Sequence, residues 1–108
     1  MEHYLYIVES NCKDSEKKIE FNKWYNTIHV PDVLETKCFL GLDRYELLEP
    51  DPTKGQYIAV YRIASGDLKK DLEAHWDNMK RKESQGRISA LINVTDRGMY
   101  RAIASFSK

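Results

Sequence analysis

The sequence has 108 residues, of which 42% are hydrophobic and 31% are charged, and its 17 basic residues balance its 17 acidic ones. This length suits a single domain over residues 1–108, and the neutral balance argues against nucleic acid or an anionic membrane surface as the main partner. No apolar run is long enough to cross a bilayer, and no signal-peptide pattern begins the chain, so a cytoplasmic protein is expected.

The first elements are predicted from a short apolar run and a helical repeat. Residues 4–8 are rich in Tyr, Ile and Val, which is typical of a strand. Asp14 can then cap a helix. Four large side chains at positions i, i+3, i+4 and i+7 give this helix one apolar face: Phe21, Trp24, Tyr25 and Ile28. Pro31 is expected to end or kink the helix, because it has no backbone N–H and moves Val30 away from the α region.

The second half of the chain predicts two strands, a helix and a final strand. The strands cover residues 39–48 and 57–63, with a Pro- and Gly-rich turn between them and a bulge or close approach at Gly41. Asp67 is the expected cap of the second helix, and Gly86 its stop. Its inner stripe consists of Leu68, Leu72, His75/Trp76 and Met79. The final strand is placed around residues 98–104.

This order of elements predicts an α+β fold of the ferredoxin-like kind, β-α-β-β-α-β. A four-stranded antiparallel sheet then carries both helices on one face. The strands at 4–8 and 57–61 are apolar on both faces instead of alternating, so the face away from the helices needs a cover. A second copy packed sheet to sheet would provide one and would make a homodimer. The alternative is that Tyr-rich strands tolerate water through their hydroxyl groups.

One segment combines aromatic and ionisable side chains next to the proline. Trp24, Tyr25 and His29 share a helix face, and a kink at Pro31 would let His29 face a cavity. Histidine can accept or donate a proton near neutral pH, and Asp32 could turn back to orient its imidazole. The alternative is a buried histidine bonded to backbone among core aromatics.

The segment FNKWYNTIHVPDV, followed by CFLGLDRYEL and YIAVYRI, resembles the dimeric α/β-barrel superfamily, and its EthD-like branch in particular. The resemblance covers residues 4–64 well and the rest only by general layout. It implies a sheet-to-sheet dimer and a pocket for a small organic molecule between sheet and helices. The positions that it places at the pocket are Trp24, Tyr25, His29, Asp32 and Arg44, with Trp24 as a wall, His29 moving a proton and Arg44 holding an anionic oxygen.

Other aromatic and histidine positions are weaker candidates. His75 and Trp76 on the second helix form a second set, and Tyr6 and Tyr61 could donate phenolic hydrogen bonds into a cavity. Packing in the core or at a dimer interface is the alternative for the two tyrosines. His3 is a further candidate at the start of the first strand.

No metal site or cofactor is expected. The three histidines are dispersed, Cys12 and Cys38 have no metal-like spacing, and no Gly-rich phosphate loop is present. Two reduced thiols are expected, with a disulfide between them left open.

The sequence therefore predicts a cofactor-independent enzyme that acts on an aromatic or polyketide-like molecule by His-assisted cyclisation, isomerisation or oxygenation. Two alternatives remain at this point: a non-catalytic binding or stress-related protein, and a purely structural dimer.

Overall fold

A four-stranded antiparallel sheet forms one layer of the protein. In the computed structural model, which describes residues 1–108, the strands are β1 (Glu2–Cys12), β2 (Phe39–Glu46), β3 (Tyr57–Ser65) and β4 (Ile92–Arg101). Their spatial order is β2-β3-β1-β4. The predicted ferredoxin-like arrangement is confirmed, whereas β4 begins at Ile92 and not near residue 98.

The two faces of the sheet follow from the pairing register. Tyr6 lies opposite Tyr61 and Val8 opposite Ala59, and these side chains are buried beneath the helices. Ile7 lies opposite Val60 on the other face, which no helix covers. The predicted bulge at Gly41 is confirmed as a register shift between Phe39 and Gly41, where the Arg62 side chain crosses over the glycine.

The first helical segment is made of four short pieces: a 3-10 turn (Ser15–Lys17), α1 (Lys18–Trp24), a π-helical turn (Tyr25–His29) and α2 (Val30–Val33). The Asp14 carboxylate accepts a hydrogen bond from the Glu16 amide at 2.9 Å and so begins the first turn. The prediction that Val30 leaves the α region is wrong, since its φ and ψ are −57° and −53°. The helix widens ahead of Pro31 instead, and the Val30 amide donates to the Tyr25 carbonyl five residues back.

The second long helix, α3 (Leu68–Ser84), begins and ends as predicted. Asp67 accepts a hydrogen bond from the Lys70 amide at 3.2 Å. Gly86 adopts a φ of 71°, in the left-handed region that favours glycine, and the Arg87 amide donates to the Lys82 carbonyl at 2.9 Å.

The helices cover only one side of a thin slab whose extents are 42 × 40 × 21 Å. Phe21 and Tyr25 are almost fully buried against the sheet, and the Asn78 side-chain amide joins α3 to α2 by donating to the Asp32 carbonyl at 2.8 Å. Cys12 and Cys38 are both free thiols. None of the helices has the length and apolar character that a membrane span requires.

Candidate functional site

A cavity of about 550 Å³ lies between the helices and the sheet. Its volume falls within the range of small-molecule sites, about 300–1,000 Å³. The sheet side of the cavity is lined by Tyr6, Val8, Tyr61, Ile92, Val94 and Arg97. The helix side is lined mainly by Trp24, Tyr25, His29, Val33, His75, Trp76 and Met79. Seven of the nine predicted site residues are therefore brought together here, and the other two, Asp32 and Arg44, are not.

The end of the first helical segment presents three aromatic rings to the cavity. The His29 imidazole stacks on Trp24 with ring centroids 4.9 Å apart and an interplanar angle of 21°. It also meets the edge of Tyr25 at 4.9 Å. Because the π-helical turn carries both Tyr25 and His29, this cluster is positioned by the same widening of the helix that accommodates Pro31.

The His29 imidazole is held uncharged. Its Nδ1 atom is buried and has no hydrogen-bond partner. Burial lowers its pKa to about 4, although the charge of Asp32 opposes the shift in part. At neutral pH the ring is therefore uncharged, with one nitrogen that carries a hydrogen and one that can accept a proton.

A second buried imidazole comes from α3. His75 is 4% exposed, its Nδ1 atom has no hydrogen-bond partner, and its ring lies against the edge of Phe39 at 5.0 Å. Burial lowers its pKa to about 4, and the positive charge of Arg97 acts in the same direction. The exposed His3 lies outside the cavity.

Two tyrosines share a hydrogen bond in the cavity wall. The hydroxyl groups of Tyr25 and Tyr61 are 2.9 Å apart, and both side chains are at most 2% exposed. Burial raises the pKa of both phenols, so they stay protonated at neutral pH. Since only one hydroxyl can donate within the pair, one phenolic hydrogen remains for a ligand.

The predicted contact between Asp32 and the His29 imidazole is wrong. Both carboxylate oxygens of Asp32 accept hydrogen bonds from Arg87, at 2.7 and 3.0 Å, and this guanidinium holds the pKa of the carboxyl below its usual value. The Arg87 carbonyl in turn accepts from the Trp24 indole at 2.9 Å. Asp32 therefore fastens the loop after α3, which contributes Ile88 to the cavity wall.

Arg44 also lies elsewhere than the resemblance implies. Its guanidinium is 3.9 Å from the centre of the Tyr25 ring and donates to the side-chain oxygens of Asn22 and Asn26, each at 2.9 Å. It is not among the residues that line the cavity. Arg44 thus contacts Tyr25 from β2 and lies outside the cavity lining, and its role in holding an anionic oxygen stays a prediction.

The charged side chains at the cavity were not predicted from the sequence, and Arg97 is the most informative of them. Its guanidinium lies 5.6 Å from the centre of the Trp76 ring, which is 40% exposed. Trp76 itself meets the edge of Tyr6, whose buried hydroxyl has no hydrogen-bond partner. Lys80 and Glu83 on α3 complete the charged part of the lining. No sequence signal marked Arg97, because the final strand was predicted to begin around residue 98, just after this arginine.

No group of three or more His, Cys, Asp or Glu side chains is arranged as a metal site would require.

Comparison with known proteins gives a family and a fold. A family model described as "Domain of unknown function (DUF4286)" matches residues 3–90. No curated protein sequence matches the chain.

Several solved structures share the fold at low sequence identity. HapK from Hahella chejuensis has a TM-score of 0.67 and 12% identity over 97% of each chain. A candidate monooxygenase from Shewanella loihica PV-4 has a TM-score of 0.60 and 16% identity over 97% of this chain and 99% of its own. An EthD (ethyl tert-butyl ether D) family protein from Bacillus halodurans C-125 has a TM-score of 0.52 and 12% identity over 95% of this chain and 100% of its own. These likenesses agree with the predicted ferredoxin-like fold.

Proposed function

This chain belongs to the DUF4286 family, and we propose that it is an enzyme that binds a small aromatic or polyketide-like molecule in the cavity and transfers a proton through His29. One observation carries the proposal: the uncharged imidazole of His29, whose buried Nδ1 atom has no hydrogen-bond partner, lines an aromatic cavity of about 550 Å³.

The chemistry follows from the protonation states in the wall. His29 takes a proton from an acidic C–H beside a substrate carbonyl; the C–H bond breaks, an N–H bond forms and the electron pair moves onto the carbonyl oxygen. A protonated phenol of the Tyr25–Tyr61 pair donates a hydrogen bond to the resulting enolate. Return of the proton from the His29 imidazolium to another carbon gives isomerisation. Attack of the carbanion on a second carbonyl carbon of the substrate gives cyclisation, in which a C–C bond forms, the C=O π bond breaks and the alkoxide takes the proton. Addition of the carbanion to dioxygen, the oxidant, gives a peroxide that takes the same proton.

The aromatic walls favour a planar substrate. The helix side presents the ring faces and edges of Trp24, Tyr25 and His29. On the sheet side, the ring centroids of Tyr6 and Tyr61 are 5.7 Å apart. Flat rings gain contact area against such walls at little conformational cost.

A second function, ligand binding without chemistry, is favoured by a different observation. Asp32 is fully engaged with Arg87, so no carboxylate is hydrogen-bonded to the His29 imidazole to raise its basicity. In this alternative the same cavity stores or carries the aromatic molecule.

The face of the sheet away from the helices supports a proposed dimer of this chain. Leu5, Ile7, Ile58 and Val60 form its apolar centre, with Tyr45 and Tyr100 at 54% and 57% exposure beside it. Beyond β4, Ile103 and Phe106 are more than 90% exposed. A second copy placed sheet to sheet would bury the apolar centre of this face.

Proton abstraction can be tested without knowledge of the product. In D₂O, we expect the wild-type protein to exchange the C2 protons of 1-tetralone, a planar bicyclic ketone, at least about tenfold faster than buffer, as general base catalysis allows. NMR follows the loss of the C2 proton signal. His29→Gln should return the rate to background, while the matched variant His3→Gln, which replaces an exposed imidazole, should keep the wild-type rate.

Equal rates in the wild-type and His29→Gln proteins would remove His29 from the reaction. Binding of 1-tetralone by calorimetry without faster exchange would favour the non-catalytic function.

A further inference from the structure

We propose that the cavity contains an anion subsite formed by Arg97, Tyr6 and His75, and that it takes the carboxylate of a planar aromatic acid. This inference rests on the proposed ligand-binding role of the cavity and specifies its substrate class.

Two buried polar atoms of cavity residues have no protein partner in good hydrogen-bond geometry. Tyr6 is 7% exposed and His75 is 4% exposed, and neither the Tyr6 hydroxyl nor the His75 Nδ1 atom has such a partner. The Arg97 guanidinium is nevertheless close enough to the Tyr6 hydroxyl to lower its pKa as a hydrogen-bond donor. Buried polar groups are normally paired, so unsatisfied atoms on two residues of the same cavity favour a polar group on the ligand. A phenol and a neutral imidazole can both donate, which suits an acceptor-only group such as a carboxylate.

An unpaired cation stands beside these atoms. Arg97 lies on β4 directly opposite Val8, on the cavity face, and it takes part in no salt bridge. Its charge acts on both neighbours, because it lowers the pKa of His75 and opposes the rise that burial causes in the pKa of Tyr6. Lys80 adds a second cation and Glu83 a single anion to the lining, which leaves the cavity net positive.

The remaining contacts define what is attached to the carboxylate. Trp76 meets Tyr6 edge-on at 6.5 Å and supports the Arg97 guanidinium, so a flat ring joined to the carboxylate would lie among aromatic side chains. Tyr61 connects this subsite to the other aromatic cluster, since its ring is 5.7 Å from Tyr6 and its hydroxyl 2.9 Å from that of Tyr25. A ligand anchored at Arg97 therefore extends towards His29.

The test compares two probes of equal shape, 2-naphthoate and 2-naphthamide, by isothermal titration calorimetry at neutral pH. We expect the wild-type protein to bind the acid at least about tenfold more tightly than the amide, since charge-assisted hydrogen bonds are the stronger kind. Arg97→Gln should remove this preference and leave binding of the amide unchanged, which also shows that the variant is folded. Arg101→Gln is the matched control, because Arg101 is on the same strand with a 66% exposed side chain outside the cavity.

Two results would overturn the inference in different ways. If the amide binds as tightly as the acid, or if Arg97→Gln keeps the preference for the acid, the cavity remains a ligand site but the anion subsite is refuted. If neither probe binds to the wild-type protein, the subsite and the proposed function that it rests on are both refuted.

Discussion

At the scale of single residues, His29 and His75 differ from His3 in where their imidazoles lie. Both are in the cavity wall with a pKa of about 4, whereas His3 is exposed on β1. Burial removes the water that would stabilise an imidazolium. Asp32 is close enough to favour the charged form of His29, but the negative charge of its carboxylate is balanced by the Arg87 guanidinium. The fold therefore holds two uncharged imidazoles that an unfolded chain would protonate more readily.

This difference predicts that the protein becomes less stable as the pH falls from 7 towards 4. In that window the unfolded chain binds protons at the ordinary pKa of 6.5 while the folded protein does not, so acidification favours unfolding. At fixed protein concentration, we expect the midpoint of thermal unfolding followed by circular dichroism to drop by about 5 °C or more between pH 7 and pH 5.

The double variant His29→Gln/His75→Gln should flatten this dependence, and His3→Gln should leave it as it is. A wild-type midpoint that is the same at pH 5 and pH 7 would contradict the assignment of the two imidazoles as buried and neutral.

At the scale of elements, Asp32 joins three parts of the chain. Its carboxylate binds Arg87 in the loop after α3, its carbonyl accepts from Asn78 within α3, and its position in α2 follows from the widened turn before Pro31. The same loop is held a second time by the indole of Trp24. These contacts close one side of the cavity. None of them is a hydrogen bond from an α2 side chain to the His29 imidazole.

Asp32→Asn should weaken the attachment of the loop after α3 to α2. Asn cannot pair with Arg87 as a carboxylate does, so we expect the free energy of unfolding to fall by about 1–3 kcal/mol, the usual loss when a charged hydrogen bond at a buried side chain is broken. Hydrogen exchange should rise most at the amides of residues 87–91, and chemical denaturation gives the loss in stability.

The matched control is Glu2→Gln, which breaks an ion pair with Arg101 whose two side chains are 62% and 66% exposed and lie off the proposed dimer face. Exposed pairs contribute little, so this variant should lose less than about 1 kcal/mol. Equal losses in the two variants, or unchanged exchange in the loop, would show that Asp32 does not fasten it.

At the scale of the whole molecule, the single chain exposes more surface than its mass predicts. Its accessible area is 7667 Å², whereas a monomer of 12.7 kDa is expected to expose about 6,200 Å². The radius of gyration of 14.7 Å likewise exceeds the value of about 13 Å for a compact domain of this length. The excess, about 1,500 Å², is larger than the roughly 800 Å² per partner that a stable dimer buries, and the uncovered sheet face is where such a contact would form.

The proposed dimer predicts the effect of a charge on that face. Ile7 lies at its centre opposite Val60, so Ile7→Lys should convert the protein from a dimer to a 12.7 kDa monomer in sedimentation equilibrium while far-ultraviolet circular dichroism stays the same. Ile19→Lys is the matched control, because Ile19 is 88% exposed on α1, away from the sheet face, and should leave the dimer intact. A wild-type chain that sediments as a monomer would refute the dimer.

Local signals in the sequence were sufficient for the order and type of the elements. The caps at Asp14 and Asp67 and the stop at Gly86 act on backbone groups within a few residues, and the Tyr-, Ile- and Val-rich runs of β1 and β3 favour strands by the local preferences of those side chains. The proximity of Tyr25 and His29 was predicted for the same reason, since helix periodicity brings residues four apart to one face. The stacking of His29 on Trp24, five residues before it, depends on the π-helical turn.

Tertiary structure decided the contacts that depend on distant or irregular backbone. The partner of Asp32 is Arg87, 55 residues away, and Arg44 is covered by asparagines from another element. Val94 and Arg97 are three residues apart, which strict alternation would place on opposite faces of β4. A register shift beside Glu9 and Ser10 brings both to the cavity. The amino-acid sequence thus determined which elements form, because capping and periodicity are local, whereas the charged part of the site required pairings that only the folded sheet and helices bring about.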